Sequence, residues 1–238
     1  MEPYFAKTPK IIQSIFLDFT WKIAKPDNQS KEVYLTFDDG PIPEITDWVL
    51  KILDDFDVKA TFFCVGDNIK KYPEVLHNIL NKDHSIGNHT FNHLNGWKIN
   101  TSRYIENVIQ SEEIFRSTVE NINTEERKKK KEERSYPSTN NKQQTTKLFR
   151  PPYGKIRPSQ RKALQKKGYQ IIMWDVLSGD FDPGLSKEKC LKNVIESVEN
   201  GSIIVFHDSI KAFEKLQYAL PKTLIYLLDN GYEFKTLR

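Results

Sequence analysis

The chain has 238 residues, enough for one large domain with a substantial core. Hydrophobic residues make up 38% of it, with twelve prolines and ten glycines, which is ordinary for a globular protein. The formal net charge is +4, from 36 basic and 32 acidic residues, too slight a bias to indicate nucleic-acid binding. Two cysteines, Cys64 and Cys190, are too few for a disulfide framework and leave the cellular compartment open.

The first thirty residues carry apolar side chains at helical spacing: Ile11, Ile12, Ile15, Phe16, Phe19 and Ile23. Polar residues interrupt this run at Gln13, Asp18 and Lys22, so we recognise neither a cleavable signal peptide nor a membrane span. We expect residues 1–30 to form an amphipathic helical extension that packs on the following domain. A membrane-surface anchor is the alternative. The expected location is cytoplasmic or peripherally membrane-associated.

Strand-like and helix-like segments alternate from residue 31 to the C-terminus. Strands are predicted at 32–37, 59–65, 85–88, 148–150, 169–175, 202–207 and 232–237. Helices are predicted at 43–56, 73–82, 102–119, 157–167 and 186–200, with a last helix ending near 228. Repeated βα units imply parallel strands joined by right-handed crossovers. About seven such units predict an α/β fold, a closed or nearly closed (β/α) barrel.

Residues 121–147 break this alternation. Charged side chains fill residues 125–134, and a Ser-, Asn- and Gln-rich stretch follows. Since the segment has almost no apolar residues, burial cannot offset the entropy lost on ordering it. We therefore expect a charged, flexible insertion within a domain that spans residues 31–238. A basic flap that grips an anionic polymer is the alternative.

Two short motifs combine carboxylates with imidazoles. Asp38 and Asp39 come where the first apolar strand meets Gly40, and His89 and His93 are four residues apart. On a helical turn, that spacing lets both imidazoles reach one ion, and Asp39 would complete a three-ligand site. Adjacent strand residues face opposite sides, so Asp38 is free to act as a base. Taken separately, the aspartates are also typical of a turn and the histidines of a polar helix surface.

Two further motifs follow these in the chain. One is Arg150-Pro151-Pro152-Tyr153-Gly154, and the other is Val205-Phe206-His207-Asp208. With all four motifs in this order from about Glu32 onwards, the chain resembles the polysaccharide deacetylases of carbohydrate esterase family 4, the NodB-homology family. The resemblance implies an irregular (β/α) barrel. It also implies hydrolysis of the N-acetyl group of an N-acetylglucosamine-containing polysaccharide or oligosaccharide, peptidoglycan or chitin-like, with release of acetate.

The resemblance assigns the metal site and the base. Asp39, His89 and His93 would bind one divalent metal, Zn²⁺ in the first place, although the N/O ligand set also suits Co²⁺, Ni²⁺ or Mn²⁺. Asp38 would be the general base. Arg150 would orient the base carboxylate through charge and fork geometry.

The resemblance also assigns the acid and the oxyanion site. His207 would protonate the departing amine as the general acid. Pro151 would stiffen the loop, and the backbone N–H of Tyr153 would hold the oxyanion. A lone histidine at the end of a buried strand is often structural, and the proline-rich motif also fits a rigid surface turn.

The sequence departs from the family at Leu177 and Phe181. Many family members have an acidic residue in place of Leu177, and that acid tunes the arginine and the histidine. Asp175 or Asp180 would stand in for it here, or the tuning is absent. The family tryptophan is replaced by Phe181, which is expected to form an apolar wall against the acetyl methyl or the sugar ring.

The resulting hypothesis is a metal-dependent polysaccharide deacetylase whose partner is an acetylated glycan. The alternative keeps the barrel and the metal but removes acetyl from an O-acetylated glycan such as xylan, or hydrolyses a small non-sugar amide. A non-catalytic carbohydrate-binding domain is disfavoured because the motif residues are all present. No nucleic acid and no transmembrane segment are expected, and the oligomeric state is left open.

Overall fold

The structure is a computed structural model that describes residues 4–23, 30–132 and 147–238. A curled parallel sheet forms its centre. The strands are β1 Lys31–Asp38, β2 Thr61–Cys64, β3 Ser85–Asn88, β4 Leu148–Phe149, β5 Gln170–Ile171, β6 Val176–Leu177, β7 Ile203–His207 and β8 Tyr232–Phe234. Seven of them follow the order β5-β4-β3-β2-β1-β7-β6, and β8 pairs with the start of β1. The sheet therefore has the parallel βα order that the sequence predicts.

Helices pack around the sheet. They are α1 Lys10–Ile15, α2 Ile45–Asp55, α3 Gly66–Lys71, α4 Pro73–Asn81, α5 Thr101–Glu132, α6 Pro158–Lys166, α7 Lys187–Ile195 and α8 Phe213–Asp229. Local sequence signals start several of them. Proline occupies the first turn of α4 and α6, and the Ser186 hydroxyl caps α7 by accepting from the Lys189 N–H at 3.2 Å. Helix α3 was not predicted from the sequence.

The strand alternation of β1 separates the core from the site. Val33, Leu35 and Phe37 belong to the large apolar cluster that includes buried residues of α2 and α8. Because side chains alternate along a strand, Thr36 and Asp38 face the other side of the sheet. The same strand thus anchors the fold with one face and supplies polar groups with the other.

The polar motif residues meet at one edge of the sheet. β1 ends at Asp38 and β7 ends at His207, and these two residues are paired in the parallel register. His89 and Arg150 follow β3 and β4 directly. Since all these strands are parallel, their carboxyl ends bring the four residues to the same face, where a β/α barrel has its active site.

Only β5 falls within the predicted strand 169–175, and a further strand, β6, begins directly after it at Val176. The segment starts beside β4 and ends beside β7, and the N-terminal residues pair with it on the way. Lys7 forms an antiparallel bridge with Val176, and Thr20 forms a parallel bridge with Ile172. The N-terminal segment therefore attaches to the barrel where its two end strands diverge.

The amphipathic helical extension expected in residues 1–30 is reduced to one short helix, α1. α1 covers only six residues and buries none of them, with Ile11, Ile15 and Leu17 exposed. The backbone on either side of α1 is instead extended, because its N–H and C=O groups bond to the barrel at Asp175 and Ile171. Of the predicted apolar face, Phe19 and Ile23 pack against core clusters of the barrel, whereas α1 itself buries no side chain. Residues 24–29 lie outside the described part.

α5 continues beyond the predicted end near 119, through Glu132. Residues 121–132, where the insertion was predicted to begin, are therefore helical. Glu125 and Glu126 precede Lys129 and Lys130 by four residues, a spacing that favours helix. The remainder of the predicted insertion, 133–146, lies outside the described residues. Among the described helices, none combines the length and apolar character that crossing a membrane requires.

Candidate active site

A cavity of about 1110 Å³ opens at the carboxyl ends of the strands. Seven of the predicted site residues line it: Asp38, Asp39, His89, His93, Tyr153, Phe181 and His207. Arg150 and Asp180 are fully buried behind this lining and contact it. The structure thus brings together residues from five separate parts of the chain.

Asp39, His89 and His93 form a candidate metal triad. Their ligand atoms all lie within 4.8 Å of one another. Asp39 Oδ1 is 3.1 Å from His93 Nε2 and 3.7 Å from His89 Nε2. The prediction of a helical turn between the two histidines is wrong, because Thr90 and His93 have φ angles of 64° and 54°. A loop with left-handed residues, rather than a helix, brings the imidazoles together.

The surroundings of the triad prepare it for a divalent ion. His89 Nδ1 lies 2.8 Å from the Arg150 carbonyl, which can only accept, so the proton is on Nδ1 and Nε2 keeps its lone pair. Burial lowers the pKa of His89 to about 4, which keeps this imidazole neutral at pH 7. His93 Nδ1 is 3.1 Å from the Tyr153 hydroxyl oxygen, which can accept a hydrogen bond from the Nδ1–H group. Two imidazoles and one carboxylate therefore fit a zinc-type site.

Arg150 fixes the neighbouring carboxylate. Its Nη1 donates to Asp38 Oδ1 and to Thr36 Oγ1, both at 2.7 Å. Its Nη2 donates to the Met173 carbonyl at 3.0 Å, and its Cζ lies 4.0 Å from the centroid of the Phe63 ring. With these contacts the guanidinium has little freedom, so it sets the position of the Asp38 carboxylate.

A tight turn separates Asp39 from Asp38. β1 ends at Asp38, and Asp39 has a φ of 84°, so the two carboxylates diverge through the turn and not through strand alternation as we expected. Asp208 holds the turn by accepting from the Gly40 N–H at 3.0 Å and from the Thr46 hydroxyl at 2.6 Å. A Cβ on Gly40 would lie 1.9 Å from Asp208 Oδ2, so only glycine fits. Sequence reasoning missed this role of Asp208.

His207 is paired with a buried carboxylate. Its Nδ1 donates to Asp180 Oδ1 at 2.7 Å, and its backbone N–H donates to Asp180 Oδ2 at 2.7 Å. Burial opposes the imidazolium, but Asp180, with smaller contributions from Asp39 and Asp38, raises the pKa of His207 to about 9. The imidazole is therefore protonated at neutral pH. Its second nitrogen, Nε2, remains available to the cavity.

Of the two candidate tuning acids, the structure places only Asp180 beside His207. Asp175 is buried elsewhere, where it accepts from Lys7 Nζ and from the Ser202 hydroxyl, both at 2.5 Å. Leu177 lines the cavity without a charge. Asp180 therefore provides a carboxylate to the histidine, while Arg150 bonds to Asp38 and to no second acid among the described residues.

The proline-rich motif forms a bend at the rim of the cavity. Pro151 is buried and precedes a single 3₁₀ turn, Pro152–Gly154. Within it Tyr153 has φ 61° and ψ 9°, and its side chain is 58% exposed. Phe181, on the opposite wall, places its ring 5.0 Å from the His207 ring in an edge-on arrangement. The site is therefore walled by aromatic rings on two sides.

Several residues of the cavity were not identified from the sequence, among them Trp97 and three lysines. Trp97 is 58% exposed, and Lys155 Nζ lies 5.0 Å from the centroid of its ring. Lys98 and Lys211 also line the cavity, and Lys211 Nζ is 3.7 Å from Asp39 Oδ2. Single lysines and tryptophans on loops have no sequence spacing that would reveal such a role.

Comparison with known proteins decides the family. The family model for polysaccharide deacetylase matches residues 25–172. The chain belongs to the polysaccharide deacetylase family. A peptidoglycan-N-acetylglucosamine deacetylase of Bacillus cereus is 32% identical over 220 residues, which cover 92% of this chain and 71% of that protein. A chitooligosaccharide deacetylase of Azorhizobium caulinodans is 31% identical over 182 residues, covering 76% and 75%.

A solved structure from the polysaccharide deacetylase family has the same fold as this chain. A crystal structure of a peptidoglycan N-acetylglucosamine deacetylase, in complex with 4-naphthalen-1-yl-N-oxidanyl-benzamide, matches with a TM-score of 0.78 and 31% identity. The match covers 97% of this chain and 95% of that one. The predicted (β/α) barrel, the family and the enzyme class, a hydrolase, are therefore confirmed.

The triad generates a first prediction. His93→Ala removes one of three ligand groups, and we expect the affinity for Zn²⁺ or Co²⁺ to fall at least about tenfold, because few ligands remain to replace it. Metal analysis after dialysis and calorimetric titration measure this. His77→Ala, which alters a half-buried histidine on α4 that does not line the cavity, is the matched control and should bind metal like the wild type. Full occupancy in His93→Ala would remove this residue from the ligand set.

Proposed function

We propose that this deacetylase hydrolyses the N-acetyl group of N-acetylglucosamine residues in peptidoglycan and releases acetate. The observation that carries the proposal is the meeting of three units around one cavity. These units are the Asp39, His89 and His93 triad, the Asp38 carboxylate held by Arg150, and the His207–Asp180 pair. We propose Zn²⁺ as the ion, since two imidazoles, one carboxylate and no thiolate suit it.

The residues divide the work of amide hydrolysis between them. Asp39, His89 and His93 would hold a divalent ion, which would supply Lewis-acid chemistry to the acetyl carbonyl and the attacking water when bound. Asp38 accepts a proton from that water as its oxygen bonds to the carbonyl carbon, and Arg150 keeps the carboxylate in place. His207 then gives the proton on Nε2 to the sugar nitrogen as the C–N bond breaks. Acetate and a free amine result.

The bend at Tyr153 supplies a donor for the developing oxyanion. Its left-handed backbone follows two prolines, so the position of its N–H is fixed before substrate arrives. Such a fixed donor stabilises negative charge without reorganisation in the transition state. We assign this role to the backbone of Tyr153, and the hydroxyl of the same residue bonds to His93.

The walls of the cavity favour a charged glycan. Trp97 exposes a broad ring at the rim, a surface suited to a sugar face. Beyond Asp38 and Asp39, whose carboxylates are committed to the chemistry, the charged side chains lining the cavity besides histidine are Lys98, Lys155 and Lys211. Ammonium groups attract carboxylates and gain nothing from a neutral polymer. Peptidoglycan, whose peptides carry carboxylates, therefore fits better than chitin.

Acetate release from defined substrates tests the proposal. We expect the highest rate on peptidoglycan, a lower rate on neutral chitooligosaccharides and little on acetylxylan. Because salt screens the lysines, increasing ionic strength should reduce the difference in rate between peptidoglycan and chitooligosaccharides. Treatment with a chelator should abolish the activity, and Zn²⁺ should restore it. Activity confined to acetylxylan, or unaffected by complete removal of metal, would contradict the proposal.

A second prediction concerns pH and His207. The acid must carry its proton, so the rate on the amide should fall as pH rises through about 9, the value to which the pKa of His207 is raised. His207→Ala should lower the rate on the amide about 10²- to 10⁴-fold. The loss should be much smaller on 4-nitrophenyl acetate, because its leaving group needs no proton. An equal loss on both substrates would show that His207 has another role.

A further inference from the structure

The N-terminal segment reaches the active site, although the match to the family model starts only at residue 25. Tyr4 lines the cavity. Its hydroxyl donates to Asp182 Oδ2 at 2.9 Å, and its ring centroid lies 5.3 Å from that of Phe181. A residue outside the family motifs is thus in contact with the wall of the site.

The contacts of Tyr4 lead directly to His207. Phe181, on which the Tyr4 ring packs, is 5.0 Å from the His207 ring. Asp182, which accepts from Tyr4, also accepts from the Gly184 N–H at 2.8 Å, and its own N–H donates to the Gly179 carbonyl at 3.0 Å. These bonds make residues 179–184 one turn. Asp180, the partner of His207, lies in this turn directly before the two residues that Tyr4 contacts, Phe181 and Asp182.

The segment that carries Tyr4 is firmly attached. Ala6 accepts from the Leu177 N–H at 2.8 Å, and the Thr8 N–H donates to the Asp175 carbonyl at 2.9 Å. Lys7 Nζ lies 2.5 Å from the fully buried Asp175 carboxylate. The ammonium of this pair is only partly exposed, so the pair links Lys7 to the barrel beside the two backbone hydrogen bonds. Tyr4 is therefore presented to the 179–184 turn from a fixed backbone.

Tyr4 remains a hydrogen-bond donor under all working conditions. Burial, together with the Asp182 carboxylate, raises the pKa of the Tyr4 phenol above its usual value. The bond to Asp182 therefore persists at the pH values at which hydrolysis is measured. Loss of the phenol would leave the Asp182 carboxylate with one donor fewer and the Phe181 ring without its outer neighbour.

We propose that Tyr4 is a positioning residue of the deacetylase site, which holds the 179–184 turn so that Asp180 stays bonded to His207. The inference rests on the proposed role of His207 as the acid. The carboxylates that face His207 are Asp180, Asp39 and Asp38, and only Asp180 belongs to the turn that Tyr4 contacts. Loosening this turn should therefore lower the pKa of His207 and leave the metal triad undisturbed.

The test compares Tyr4→Ala, Tyr4→Phe and a control, Phe5→Ala, in the full chain. Phe5 is the adjacent aromatic residue, is 59% exposed and does not line the cavity. NMR titration should show the pKa of His207 lowered by about one unit in Tyr4→Ala, the size of a tenfold change in protonation. Tyr4→Phe, which keeps the ring but loses the hydrogen bond, should show a smaller shift. Phe5→Ala should titrate like the wild type.

Kinetics supply the second readout. In Tyr4→Ala, kcat/KM for an acetylated oligosaccharide should change little at pH 7 and fall by up to about tenfold above pH 9, the value to which the pKa of His207 is raised, in step with the lost protonation. Hydrolysis of 4-nitrophenyl acetate and the bound metal should change less than about twofold, since neither needs the proton of His207.

Two results would overturn the proposal. One is an unchanged His207 titration in folded Tyr4→Ala, and the other is an equal loss on amide and ester together with a lower melting temperature, which would indicate a purely structural role. If Tyr4→Ala does not fold, the titration of Tyr4→Phe decides in the same way. Because the titration needs no glycan, a wild-type enzyme inactive on peptidoglycan would contradict the proposed substrate and leave this test intact.

Discussion

The guanidinium of Arg150 is the interaction on which the site depends. It is fully buried, bonds to Thr36 and Asp38 at the end of β1, and bonds to the Met173 carbonyl after β5. The carbonyl of the same residue accepts from His89, a member of the metal triad. Replacing the guanidinium would leave a buried carboxylate and a carbonyl without their donor, which is strongly unfavourable. One residue therefore fixes the distances between the base, the triad and the strand ends.

Two separate charge pairs fix the proton acceptor and the proton donor of the site. Arg150 holds Asp38 on one side, and Asp180 holds the proton of His207 on the other. Buried pairs of this kind often add little net stability, because desolvation offsets much of the attraction. Their value here is positional: a proton acceptor and a proton donor are kept apart on neighbouring strands. The register pairs Asp38 with His207 across β1 and β7.

The sequence predicted the parallel barrel and the meeting of the motif residues, because carboxyl ends of parallel strands share one edge. It did not predict the backbone that brings His93 next to His89 and Asp39, since four-residue spacing fits a helical turn and a left-handed loop equally well. Asp175 and Asp180 were indistinguishable, as both lie within three residues of Leu177 and only the path of the chain decides. The contribution of Tyr4 depends on contacts about 180 residues apart in sequence, as its bond to Asp182 shows, which no local pattern encodes.

A double-mutant cycle on kcat/KM tests the central role of Arg150 most directly. The variants are Asp38→Asn, Arg150→Met and the two combined, each checked for folding and bound metal. Removing the base should cost about 10²- to 10⁴-fold. If Arg150 acts by holding Asp38, each single change should lower kcat/KM by a similar factor. The double variant should then have a kcat/KM no lower than that of the less active single variant. Losses that multiply, or an Arg150→Met enzyme close to wild-type activity, would contradict the account.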